Sequence, residues 1–378
     1  MKYILVLVGI LVGSLTFAQT GEIPSDRPKL VIGIVVEQMR YDYLTRYWDD
    51  FESGGFKKLA IYGAWCQNNH LNYSLTQSSC GFATIVTGTE PKEHGIVSDY
   101  WYNPLSSEIS TCIGDSRQKG IGCKAKNGKY SPHQLFCTSL SDEINLYNQG
   151  KSLIFSVGLD PKGSILSGGF SADYAFWFDD NSGNWVTSSY YADTLPTWVE
   201  TFNKKKYPDD YLLRQWTLSL PNESYNESLK DDNLYEYGIN GTFKKFPYNY
   251  VEIKKDVHDY ELIRMIPEGN ILTTDFAVSC FLNESLGSDD ITDFLFINYS
   301  VPEEIGKSFG PNAIETQDMF IKLDKDIAHL IEVIEETVGK QNVLIYLTSN
   351  CGVSTIPSYY QIINSHQGIS NITTSKHC

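Results

Sequence analysis

Leu30-Val31-Ile32-Gly33-Ile34-Val35-Val36 is an unbroken apolar run, closed by Glu37-Gln38. A strand solvated on one face alternates apolar and polar residues. A run that is apolar at every position is buried on both faces, as a parallel strand under helices is. The same rhythm continues outward from this run. Residues 41–51, 54–62, 81–88, 139–148 and 273–286 read as helices, and residues 153–157, 294–299 and 343–347 as strands. Residues 312–338 form a long amphipathic helix, with Phe320, Leu323, Ile327, Leu330 and Ile334 at helical spacing. Strands alternating with helices predict an α/β fold, a sheet with helices on both faces.

Composition bounds the function classes. The chain has 378 residues, 42% of them hydrophobic and 20% charged, which is globular composition. Its formal charge of −16 argues against a nucleic-acid binder, because phosphate contacts need a basic face. Lys2, the apolar residues 3–17 and the small residue of Phe17-Ala18-Gln19 read as a signal peptide over residues 1–18. The expected mature chain, residues 19–378, is exported, periplasmic or at the cell surface, with no transmembrane segment after cleavage. The cysteines lack C-x-x-C or zinc-ribbon spacing. Cys112 and Cys123 flank a Gly-rich loop and are expected to form a local disulfide. Residues 100–137 and 160–268 break the strand–helix rhythm and read as insertions forming a smaller cap beside the sheet. Strand ends facing such a cap are where α/β proteins place ligands.

Several collinear blocks go further. They include Val35-Val36-Glu37-Gln38-Met39-Arg40-Tyr41-Asp42, Gly54-Gly55-Phe56-Lys57, Thr87-Gly88-Thr89-Glu90-Pro91-Lys92-Glu93-His94-Gly95-Ile96, Ala175-Phe176-Trp177-Phe178-Asp179, Phe309-Gly310-Pro311 and Thr348-Ser349-Asn350-Cys351-Gly352. In these the chain resembles the bacterial phosphate-irrepressible alkaline phosphatases, which are related to the nucleotide pyrophosphatase/phosphodiesterases. The resemblance implies an alkaline-phosphatase-like sheet. It also implies a chemistry of two zinc ions, a Thr or Ser nucleophile, and donors for phosphate oxygens.

Position by position, the resemblance finds changed residues. Glu37 stands where the family has a metal-binding Asp, and Ser78 where it has its nucleophile, although Ser78 also reads as a helix N-cap. A D-x-x-x-H metal pair corresponds to Glu303 and Lys307, and the Asp-His of T-A-D-H-G to Asn350 and Cys351. The phosphate-contacting Asn corresponds to Asp99, and a Lys-x-Arg pair to Asp160 and Lys162. A protonated ammonium has no lone pair for a metal. Lys cannot offer the bidentate fork of Arg. His366 and His377 align with no ligand, and the family's last His ligand lies in a segment beyond this sequence. His94 reads as structural. Counted as ionised, Glu37, Asp99, Asp160 and Glu303 outnumber Lys162 and Lys307, so a phosphate dianion would be repelled. Lys307 is expected to pair with Glu303 or Glu37 and to stand in for lost metal charge.

These positions lead to an expectation of a catalytically inactive member. It would carry no cofactor and act in the cell envelope as a binding or scaffold subunit beside a protein partner. The alternative is a metal-dependent phosphomonoesterase or phosphodiesterase. There Ser78 is the nucleophile, and a remodelled zinc or atypical metal site is built from Glu37, Glu303 and Cys351. A third reading is a shortened chain that folds poorly.

Overall fold

The computed structural model describes residues 27–104, 107–356 and 359. The expected signal peptide, His366 and His377 lie outside them. Seven strands form the central sheet: β1 (Leu30–Val36), β2 (Gly120–Ile121), β3 (Ile154–Gly158), β4 (Tyr174–Asp179), β5 (Asn184–Ser188), β6 (Asp293–Tyr299) and β7 (Val343–Thr348). Their spatial order is β7-β1-β6-β3-β4-β5-β2. The first five in that order run parallel, and β5 and β2 join antiparallel at one edge. The register of β1 pairs Val36 with Tyr299, so both strands end at one level.

The apolar run of β1 serves two cores. Leu30, Ile32, Ile34 and Val36 belong to the main core, with Leu272 and Phe276 of α3 (Glu268–Asn283) and Leu323 and Ile327 of α5 (Ile314–Val338). Val35 packs on the other side with Phe82 of α1 (Ser78–Thr87) and Ile165 of α2 (Pro161–Gly168). This period-two division is why no polar residue is tolerated between Leu30 and Val36. The expected arrangement of helices on both faces of the sheet is what the chain forms.

The cap differs from expectation. Residues 161–188 supply α2, β4 and β5 to the sheet layer rather than to an insertion. The Tyr- and Trp-rich stretch that follows packs mainly into the core under the sheet, with a small cluster of Tyr225 against Ile314 and Ile321 of α5. Phe202, Trp216, Tyr248 and Tyr250 are contiguous with the core under the sheet. Buried Asp318 on α5 binds this stretch, accepting from Trp216 Nε1 (2.5 Å), the Tyr225 hydroxyl (2.6 Å) and the Ser219 N–H (2.6 Å). The expected Cys112–Cys123 disulfide does not form: both thiols are free, Cys112 buried in the α1/α2 core and Cys123 partly buried against it. Cys80 and Cys351 are free as well. Among the described residues no helix is long and apolar enough to cross a membrane.

Candidate active site

Four parallel strands deliver the site residues at their C-terminal ends, where open α/β sheets bind ligands. β1 is followed by Glu37, β3 by Asp160, β6 by Glu303 on α4 (Val301–Phe309), and β7 by Asn350 and Cys351. Ser78 arrives from the side as the first residue of α1. Gln77, not Ser78, is the N-cap residue, so the capping reading of Ser78 does not hold. Close approach of α1 to the β7 loop depends on Gly81. A Cβ there would sit 2.0 Å from the Asn350 carbonyl oxygen.

The resulting network is closed and polar. Ser78 Oγ donates to Glu303 Oε2 at 2.8 Å. Glu303 Oε1 accepts from Gln38 Nε2 at 3.2 Å and lies 3.0 Å from Lys307 Nζ. Lys307 also reaches Glu304 at 3.0 Å, so of its two expected partners it takes Glu303 and not Glu37. Gln38 was not singled out in the sequence. It has φ 55°, the left-handed region that a non-glycine residue seldom adopts. That turn aims its backbone N–H at Asn350 Oδ1 (3.2 Å) and its amide at Glu303. Its position directly after the strand-ending Glu37 was the available signal.

Glu37 is 1% exposed, and its Oε1 finds no hydrogen-bond partner among the described residues. Burial raises its pKa well above the ordinary carboxylate value, and the neighbouring Glu303 raises it further. Burial would raise Glu303 too. The neighbouring Glu37 carboxyl, the Lys307 charge and the Ser78 hydroxyl outweigh it and hold Glu303 down to about 2. The two groups are thus driven in opposite directions, Glu37 toward its neutral form and Glu303 toward its charged form. Burial pushes the Cys351 thiol up to about 12, with the Glu303 and Glu37 charges adding to it. Across the site, Lys162 Nζ lies 2.8 Å from Asp99 Oδ2 and 3.5 Å from Asp160. Burial opposes the Lys162 charge, but Asp160 and Asp99 raise its pKa above the usual lysine value. His94 is fully buried away from the site, between the Thr84 hydroxyl and the Ile96 N–H, which is a structural role.

The zinc pair that the resemblance implies can be tested against these donors. An orphaned carboxylate oxygen on Glu37 would suit a cation. The rest would not. Lys307 places an ammonium at Glu303, Cys351 is held as a thiol, and the Asn350 amide donates toward Glu37 at 3.5 Å. Among the described residues no three His, Cys, Asp or Glu side chains converge on a metal-holding geometry. The residues present do not fit a zinc pair.

A cleft of about 520 Å³ opens beside this network, lined by Asp99, Tyr130, Lys162, Trp177, Arg264 and Glu303 among others. The family model for type I phosphodiesterase / nucleotide pyrophosphatase matches residues 31–374. The chain belongs to this family. Alkaline phosphatase PhoV of Synechococcus elongatus is 35% identical over 88% of this chain and 60% of its own length. Alkaline phosphatase PafA of Elizabethkingia meningoseptica is 36% identical over 94% of this chain and 65% of its own. The crystal structure of wild-type PafA superposes with a TM-score of 0.86 at 36% identity, covering 90% of this chain and 66% of that one. The chain thus spans slightly less than two thirds of the relatives it matches.

These matches overturn the expectation of an inactive scaffold subunit, since PhoV and PafA, at 35% and 36% identity, are alkaline phosphatases by name. The charge count behind that expectation also changes. It took Glu37 as ionised, but burial and the neighbouring Glu303 favour its neutral form. Asp99, Asp160 and Glu303 then face Lys162 and Lys307, so the repulsion of a phosphate is weaker than the sequence count implied.

Proposed function

We propose that the chain is an exported phosphoester hydrolase in which Ser78 is the nucleophile. The observation that carries this is the 2.8 Å hydrogen bond from buried Ser78 Oγ to Glu303 Oε2, a residue that lines the cleft. It sits within a family whose matched members include alkaline phosphatases. In this reading Ser78 Oγ attacks phosphorus as its proton passes to Glu303, and the P–O bond to the ester oxygen breaks, that oxygen leaving as an alkoxide that takes a proton from solvent water. Water then hydrolyses the phosphoserine. Glu303 is a weak base, held down by Lys307. A loose phosphoryl-transfer transition state needs little base strength, because the nucleophile is barely bonded when the leaving bond breaks. The protein's task is then positioning, and Lys307 and Gln38 hold Glu303 against Ser78. The leaving group lies in the cleft beside Tyr130 and Trp177. No step here runs through zinc, because the donors do not fit it.

The test is release of 4-nitrophenol from 4-nitrophenyl phosphate and from its bis ester, comparing the wild-type chain with Ser78→Ala. The variant should lose about a hundredfold or more of the rate, as removal of a nucleophile does. Equal rates in the two proteins, or no wild-type rate above buffer, would sink the proposal. The ratio of the two substrates decides between monoester and diester.

A further inference from the structure

A phosphoryl group attacked by Ser78 needs donors for its non-bridging oxygens. The nearest built for this are the Ser79 N–H in the first turn of α1, a helix of 10 residues, and the ammonium of Lys162. Both are already taken. Asp99 Oδ1 accepts from the Ser79 N–H at 3.3 Å, and Asp99 Oδ2 accepts from Lys162 Nζ at 2.8 Å. A carboxylate bridging a helix N-terminus and an ammonium presents two oxygens and one negative charge, as two phosphoryl oxygens do. The Ser79 side chain adds a second sign of an anion site. It is fully buried and close enough to favour the Asp99 charge, yet its Oγ closes no hydrogen bond of ordinary geometry among the described residues.

We propose that Asp99 is a resident plug, its carboxylate filling the subsite between α1 and Lys162 that a phosphoryl oxygen of the substrate must take. This rests on the reading of Ser78 as the phosphoryl-accepting residue. The plug is latched to the helix it blocks. The Asp99 N–H donates to Gln77 Oε1 at 2.6 Å, the Ser98 hydroxyl donates to the same oxygen at 2.7 Å, and the Asp99 carbonyl accepts from the Cys112 N–H at 3.0 Å. With the backbone held, only rotation of the side chain can vacate the subsite. The cleft that Asp99 lines leaves room for that rotation. A phosphate dianion therefore binds either against the carboxylate charge or after displacing it, and both weaken binding. Like charges in close approach in a partly dry cleft repel strongly. The effect is therefore large enough to measure.

The experiment is calorimetric titration of inorganic phosphate into the purified full chain. Asp99→Asn should bind phosphate at least about tenfold more tightly than wild type. The double variant Asp99→Asn/Lys162→Met should lose that gain, because the freed donor is gone. Each variant is first shown to unfold cooperatively. If Asp99→Asn does not, Asp99→Ala carries the same comparison. Equal phosphate affinity in wild type and the Asp99 variants overturns the plug. Tighter binding by Asp99→Asn with no ester turnover by either protein would sink the hydrolase reading and leave the plug standing. Wild-type turnover with unchanged phosphate affinity in Asp99→Asn would do the reverse.

Discussion

Glu303 is the residue on which the site turns. Its carboxylate receives the Ser78 hydroxyl, the Gln38 amide and the Lys307 ammonium. A divalent cation at Glu303 would have to displace Lys307 or sit beside it. Two cations on one carboxylate repel by several kcal/mol in a partly dry site, less where solvent screens the half-exposed Lys307. The natively purified protein is therefore expected to carry close to no zinc. Chelator should leave its unfolding midpoint and any ester hydrolysis unchanged. Elemental analysis after gel filtration checks this, and one or two zinc ions retained per chain would refute it. The sequence located these residues well, because they follow strand ends and collinear motifs. It could not locate the proton. Glu37 reads as an anion until its 1% exposure and its neighbouring carboxylate are known. The same limit hid Gln38, whose role comes from one backbone angle.

At the scale of elements, α1 carries the nucleophile only as long as it lies against the β7 loop. A Cβ on Gly81 would meet the Asn350 carbonyl oxygen at 2.0 Å and its carbonyl carbon at 2.6 Å, both backbone atoms. Replacing Gly by Ala inside a helix gains about 1 kcal/mol of propensity. Overpacking against a fixed neighbour costs about 1–3 kcal/mol, and more when backbone must shift. The clash wins, so Gly81→Ala should lower stability by roughly 2 kcal/mol in urea unfolding. It should also push Ser78 away from Glu303 and cut ester hydrolysis more than tenfold. An unchanged unfolding midpoint would show that the helix can slide without cost. The major elements were legible for a simple reason. β1 and β6 are buried on both faces; β1 is apolar throughout, and β6 is apolar from Phe294 to Ile297. β4 and β5 were misassigned to a cap because they lie within the Tyr-, Trp-, Asn- and Asp-rich stretch 160–268, and two-residue β2 is too short to read. The expected Cys112–Cys123 bridge rested on loop spacing, whereas Cys112 is committed to the core beside Ile113.

At the scale of the whole molecule, the residues after β5 are tied to α5 by buried acids, and this sets how stability responds to pH. Tyr248 donates to Glu315 Oε1 at 2.6 Å, while Glu315 Oε2, Glu236 Oε1 and Asp231 Oδ1 have no hydrogen-bond partner among the described residues. Burial raises Glu315 to about 8; the Tyr248 hydrogen bond opposes this, and the Glu236 and Asp231 charges add to it. Burial raises Glu236 to about 7, against the Asn233 N–H and with help from Asp231 and Asp232. Unfolded, both titrate near 4.5. Between about pH 4.5 and 8 the folded chain thus binds protons that the unfolded chain has released. Stability must fall with rising pH across that window. Glu315→Gln keeps an acceptor for Tyr248 and removes the titration. It should be near neutral at pH 5 and stabilise the chain by on the order of 2 kcal/mol at pH 9, the direction set by the raised pKa. Urea unfolding midpoints at pH 5, 7 and 9 measure the difference between the two proteins. Parallel pH profiles would mean that Glu315 ionises freely in the folded state, and that water or a cation reaches the seam between α5 and the chain packed on it.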